Sequence, residues 1–187
     1  ARAEWLKFVA VFFDREYEAD SIFKSIEANY LLIKERMTKV ANRPTVICNM
    51  PFKEIWYMPS GENYLARIIH DAGADFLWAN SSASNGLNLS LDYESVYAKG
   101  SNADYWLNTG FARSLSEMVN ADSKHANFRA WKNGNVFNND LRMTPSGGFD
   151  FWESGAVSPD LILADLVHLF HPDSLPTHKP VYYRQLH

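Results

Sequence analysis

From Glu16 to Val40 apolar residues return at Ile22, Ile26, Tyr30, Ile33, Met37 and Val40, in steps of four, four, three, four and three. That spacing marks one stripe of an α-helix, with Lys24, Glu27, Lys34, Glu35 and Lys39 largely on its other faces. No Pro or Gly interrupts the run, and at helical rise it spans roughly 37 Å. A rod of that length can lie along a domain as its backbone; the stretch also reads as an ordinary long core helix. Ahead of it, Trp5, Phe8, Val9 and Phe12 give Arg2–Phe13 a helical period that ends near Asp14–Arg15. Pro44 disfavours helix at Arg43 and closes the long run.

Beyond Pro44 the pattern changes. Thr45-Val46-Ile47-Cys48 is a short continuous apolar run, suited to a strand buried on both faces. Asn49–Ser60 reads as a loop holding Phe52, Trp56 and Tyr57 among prolines. Ser60 is placed to cap a helix through about Asp71, with Leu65, Ile68 and Ile69 inward and Gly73 at the C′ position. Asp75–Trp78 is a second short strand, and the polar stretch Asn80–Asn88 a loop. Asp92 caps the next helix, with Leu91 and Val96 spaced for a hydrophobic staple and Glu94 in the first turn, where the dipole favours an anion. That helix ends near Gly100. Asp104–Asn108 is a third strand. Ser114 and Glu117 are spaced as a capping box, His125–Trp131 continues helically, and Asn135-Val136-Phe137 is a fourth strand. Asn138–Ser158 is a second long loop. Ser158-Pro159-Asp160 opens an apolar helix that Pro172 ends, and Tyr182, Tyr183 and Leu186 let the tail dock.

This order predicts an α/β fold: a mainly parallel sheet of four to five strands with helices on both faces, preceded by a long backbone helix. In such sheets ligands bind beyond the carboxyl ends of the strands. The loops there carry Trp56, Tyr57, Asn108, Asn138, Asn139, Arg142, Trp152 and Glu153. Trp56, Tyr57 and Trp152 would form an aromatic wall for a flat or chelated ligand, with Arg142 and Asn138 as polar contacts; equally, the aromatics would pack the loops and Arg142 would pair with Asp140 or Asp150.

Composition narrows the function. The chain has 187 residues, 47% of them hydrophobic, and a formal net charge of -4 without any Lys/Arg run. That argues against nucleic acid as partner, since phosphate binding needs a concentrated basic surface. Aromatics make up 14%, an excess that suits recognition of a bulky or ring-bearing ligand as well as an aromatic-rich core. The single cysteine, Cys48, allows no internal disulfide and reads as a small buried hydrophobe. No stretch has the apolar length of a membrane span, and the opening residues read as a helix rather than as a signal peptide. The chain opens on Ala1 in what reads as a helix, as a mature protein or a piece of a longer one would.

No Gly-x-Ser-x-Gly elbow occurs, and the histidines lie late in the chain, outside the ligand loops. Asp150 and Glu153 are close enough to act as a carboxylate pair in an α/β hydrolase working on a sugar or ester. His168 and His171 share a helix face without a third ligand placed by spacing, so no resident metal and no cofactor are expected.

A long helix feeding a four-strand α/β lobe resembles the second half of a known family. These are the substrate-binding proteins of bacterial ABC importers for ferric siderophores, cobalamin and haem, in which a rigid helix joins two lobes. "RPTVICNM" resembles the first strand of the family's C-terminal lobe, and "YLARIIHDAGADFLWAN" the helix and strand after it. "LDYESVYAKGSNADYWLNTG", "WKNGNVFNND" and "SPDLILADLVHLFHP" resemble the following capped helix and strand, the turn and strand, and the closing helix. The resemblance implies that residues 1–43 are connecting helices, with the interlobe helix at about 16–40, that 44–187 are the C-terminal lobe, and that the N-terminal lobe is absent from this chain. It implies a binding protein, not an enzyme, that holds an iron chelate, corrinoid or haem-like ligand through Trp56, Tyr57, Asn108, Asn138, Arg142, Trp152 and Glu153. Glu94 would dock on arginines of an inner-membrane permease. The place of work would be the periplasm, or the cell surface as a lipoprotein.

Overall fold

Two helices open the chain. The computed structural model describes residues 2–84 and 86–187; Ala1, and Asn85 inside the expected loop at 80–88, lie outside the described residues. Helix α1 (Trp5–Ala10) tightens into a 3₁₀ turn at Val11–Phe13. Asp14 then takes the left-handed conformation, with φ 52°, so the chain turns before α2 (Glu16–Met37) begins. Helix α2 has 22 residues, ending three short of Val40, with Glu16 and Glu18 in its first turn and Lys34 and Arg36 in its last. Both ends suit the helix dipole. Its stripe is engaged toward the C-terminal end: Met37 is buried, and Tyr30, Ile33 and Val40 pack on the core. Ile22, Leu31 and Leu32 stay exposed. Polar ties fix the docking, with Tyr30 Oη donating to Asp71 at 2.7 Å and Lys34 pairing with the same carboxylate at 3.1 Å.

The remainder winds a sheet. In chain order come β1 (Thr45–Cys48), β2 (Trp56–Pro59), α3 (Tyr64–Asp71), β3 (Asp75–Phe76), β4 (Asn88–Leu91), α4 (Tyr93–Gly100), β5 (Tyr105–Leu107), α5 (Leu115–Ala121), α6 (Arg129–Lys132), β6 (Val136–Asn138), α7 (Ser154–Val157), α8 (Pro159–Phe170) and β7 (Arg184–Gln185). Five strands form one sheet in the order β3-β1-β5-β6-β7. The first four are parallel, and β7 runs antiparallel to β6. The α/β fold with a long leading helix is thus as expected. Strand order reverses between β1 and β5, so the crevice of this topology lies beyond Cys48 and Leu107.

Several local expectations change. The loop expected over Asn49–Ser60 contains β2, which pairs antiparallel with β4 as a separate ribbon. Ser60 is buried and donates to Gly86 O; the cap of α3 is Asn63, whose side chain accepts from Leu65 N at 2.9 Å. Ser114 accepts from Glu117 N, but Glu117 reaches back to Arg113 N rather than to Ser114 N. The helical run expected at His125–Trp131 breaks at Phe128, which is extended (ψ 139°), into a 3₁₀ turn and α6. Ser158 makes no cap bond, although Pro159 does open α8.

The tail docks through a buried carboxylate as well as through Tyr182, Tyr183 and Leu186. Asp165, on α8, accepts the backbone N–H groups of Val181, Tyr182 and Tyr183 and the Nε2 of His178 at 2.6 Å. Those bonds aim the tail at the sheet edge, where β7 closes it.

Candidate functional site

The two central strands end in the same way. Asn49 follows β1 with φ 64° and Asn108 follows β5 with φ 60°. Left-handed backbone is uncommon outside glycine, and asparagine tolerates it best. Lys53 (φ 58°) and Gly110 (φ 68°) repeat the conformation a few residues on. These turns throw both chains away from the sheet and leave a cavity of about 500 Å³ between them. One wall is Asn49-Met50-Pro51-Phe52 with Tyr57, the other runs from Asn108 to Ala112, and Glu117 and Ala121 of α5 close the side. Strain gathered at a strand-end cavity is a mark of a functional site.

Beneath the floor lie two stacked indoles. Trp56 and Trp106 have ring centroids 5.5 Å apart at 26°. Trp56 Nε1 donates to Cys48 O at 2.9 Å and Trp106 Nε1 to Asn49 O at 2.6 Å. Asn49 Nδ2 in turn donates to Tyr57 O. The end of β1 is therefore held from below by two buried N–H donors. His125, Tyr93 and Phe128 complete the aromatic cluster around Trp56.

The residues expected to touch ligand divide by burial. Tyr57 lines the cavity and is 42% exposed. Trp56, expected beside it in the aromatic wall, is instead fully buried, because successive residues of β2 point to opposite sides. Asn108 lines the cavity with little surface of its own, and lies beside the Tyr183 hydroxyl, whose pKa burial pushes well above its ordinary value. Asn138 is fully buried, its Nδ2 donating to Gly110 O at 2.8 Å. It braces the far wall from behind. Trp152, 60% exposed, lies outside the cavity lining, stacked edge-on against Phe151. Its loop touches a lining residue through Phe149, whose ring lies 6.3 Å from that of Phe111.

Arg142 pairs with Asp150 at 2.8 Å, the surface pairing that the sequence also allowed. The Asp150 carboxyl is held below the usual carboxylate range, chiefly by the Ser154 hydroxyl, against the opposing effect of burial and with help from Ser154 N–H and Arg142. Asp150 is thus committed to its own loop, while Glu153 is exposed. His168 Nδ1 and His171 Nε2 face the carbonyls of Leu175 and Gly73 respectively. Glu94 is exposed in the first turn of α4.

Sequence reasoning missed Asn49, Met50, Phe111 and Glu117 as lining residues, and took Phe52 only as a loop aromatic. The signal was present: in "ICNMP" and "WLNTG" an asparagine directly follows a buried apolar run and precedes a Pro or Gly turn.

The pattern of the periplasmic binding protein family matches residues 1–141. An uncharacterized lipoprotein of Methanocaldococcus jannaschii is 26% identical over 181 residues, which is 95% of this chain and 41% of that protein. Among solved structures, the TroA-like periplasmic binding protein FepB of Veillonella parvula superposes with a TM-score of 0.73 at 14% identity, over 100% of this chain and 61% of that one. An ABC-type Fe3+-hydroxamate transport protein of Saccharomonospora viridis gives 0.66 at 15% identity, over 90% and 55%. S. aureus IsdE, solved with heme, gives 0.62 at 17%, over 90% and 63%. The chain spans less than two thirds of each, roughly one lobe of such proteins.

Proposed function

Because the chain belongs to the periplasmic binding protein family, whose members bind solutes for ABC transporters and are not enzymes, we propose that it is the C-terminal lobe and connecting helices of such a protein. The observation that carries this reading is the cavity beyond β1 and β5, at the reversal of strand order, with aromatic side chains standing open around it. A second lobe, carried on α1 and α2, would close over it. The ligand is an iron–siderophore, a corrinoid or a haem-like chelate. The hydroxamate transport protein and heme-bound IsdE among the structural neighbours support that class. Tyr57 and Asn108 contact it directly, Trp152, Arg142 and Glu153 form an outer wall on the loop after β6, and Trp56 and Asn138 hold the floor and wall in place. The work is done outside the inner membrane, in keeping with the lipoprotein description of the archaeal relative.

Calorimetric titration of the two-lobed protein with ferric chelates tests the site. Tyr57→Ala and Phe111→Ala should each weaken binding by about 1–3 kcal/mol through lost aromatic burial. Unchanged affinity in both variants would move the site elsewhere. Delivery has its own test. Glu94→Lys should leave ligand affinity intact and lower uptake, because it sets like charges against permease arginines; normal uptake by the variant would end the docking role.

A further inference from the structure

The cavity wall has an unusual charge makeup. Its lining consists of Asn49, Asn108 and Thr109 as neutral polar groups, a set of apolar and aromatic side chains, and one ionisable acid, Glu117. Lys, Arg and His are absent from it among the described residues. The cations nearby lie outside the lining. Lys53 lies over the Phe52 ring, 5.7 Å from its centroid. Arg142 is matched by Asp150 and Arg184 by Asp140. Arg113 follows Ala112 and is exposed without lining the cavity. Phe111 and Phe52, 92% and 68% exposed, stand at the two rims.

A site for an anion needs donors or cations facing it, because a desolvated negative charge without them is costly. This wall holds no cation among the described residues: it offers the neutral polar groups of Asn49, Tyr57, Asn108 and Thr109, apolar rings, and one carboxylate. We infer that this lobe receives the uncharged face of a neutral chelate and discriminates against polyanionic ones, with Glu117 as the discriminating residue. The inference rests on the reading that the cavity is the ligand site. Two sources share that chemistry: a ferric tris-hydroxamate, in which three monoanionic groups cancel Fe(III), and a neutral corrinoid. A ferric tricatecholate has similar bulk and the same metal, but keeps a net negative charge.

The test uses the two-lobed protein and calorimetry with three probes: a ferric tris-hydroxamate, cyanocobalamin and a ferric tricatecholate. One of the neutral probes should bind at least about tenfold more tightly than the tricatecholate, and the better one identifies the source. Its affinity should change less than about twofold as salt is raised, since no ion pair is there to be screened. Glu117→Gln retains an acceptor for Arg113 N–H. It should tighten the tricatecholate about three- to tenfold relative to the neutral ligand, by removing a like charge. Ala121→Lys, which adds a cation to the wall, should shift preference the same way. A tricatecholate that binds as tightly as the neutral probes, or that responds to neither variant, overturns the inference while leaving the ligand site standing. Absence of binding by all three probes removes the site reading and the inference together.

Discussion

The carboxylate of Asp165 is buried and accepts N–H groups from three consecutive tail residues as well as from His178. Asp165→Ala strands those donors in the interior and should destabilise the lobe by about 3–5 kcal/mol, read as a lowered denaturant midpoint with loss of the β7 amide protection. Asp165→Asn keeps one acceptor oxygen and should lie between the two. Asp150 gives a pH-dependent counterpart. Its folded pKa is depressed, so its contribution is in full force above the ordinary aspartate value of about 3.9 and is lost as pH falls through the folded value. Ser154→Ala removes the largest cause of that depression, so the variant should lose less stability than the parent on acidification below about pH 4. Equal acid limbs for both proteins would refute it. Single residues were also where the sequence misled. Trp56 and Tyr57 are neighbours among prolines and look alike in composition, yet one is sealed in the core and the other opens on the cavity. Strand alternation separates them, and it becomes visible only once "WYMP" is seen as a strand.

Elements with local signatures were legible. The stripe of α2, the apolar run of β1 and the Asp92 cap, which accepts from Ser95 N at 2.6 Å, all rest on neighbours within a turn or a strand. The ribbon of β2 and β4 was not, because its partners are separated by a helix and a strand, and β4 has no fully buried position to mark it. The same long-range approach explains Gly61. A Cβ there would lie 1.8 Å from Ala79 O, an obstruction of backbone against backbone. Gly61→Ala should therefore cost about 1–3 kcal/mol, and by displacing the entry to α3 it should raise amide exchange in Tyr64–Asp71. A thermal midpoint equal to that of the parent would refute the close approach.

At the scale of the molecule, the surface at the amino-terminal end stands out. Trp5, Phe8, Val9, Val11, Phe12, Phe13 and Tyr17 are all exposed, and Trp5, Phe8 and Phe12 form an edge-to-face ladder along α1 and the 3₁₀ turn after it. Patches of this kind mark interaction sites. The patch begins on α1 and runs through the 3₁₀ turn to Tyr17 at the start of α2. The chain alone should self-associate in a concentration-dependent way in sedimentation velocity, and a Phe8→Ser/Phe12→Ser double variant should restore the monomer without loss of helicity. A parent chain that stays monomeric at high concentration would show that the ladder is content in water.

The stacked indoles under the cavity floor have an optical consequence. Rings held 5.5 Å apart at 26° couple their electronic transitions, so the pair should produce a paired positive and negative band in circular dichroism that a Trp106→Phe variant abolishes. The two indole N–H groups end on the carbonyls of Cys48, the last residue of β1, and of Asn49 just after it, so a ligand pressing on Asn49 would shift the rotation between the rings. The amplitude of that couplet would then follow occupancy of the proposed site without any added dye.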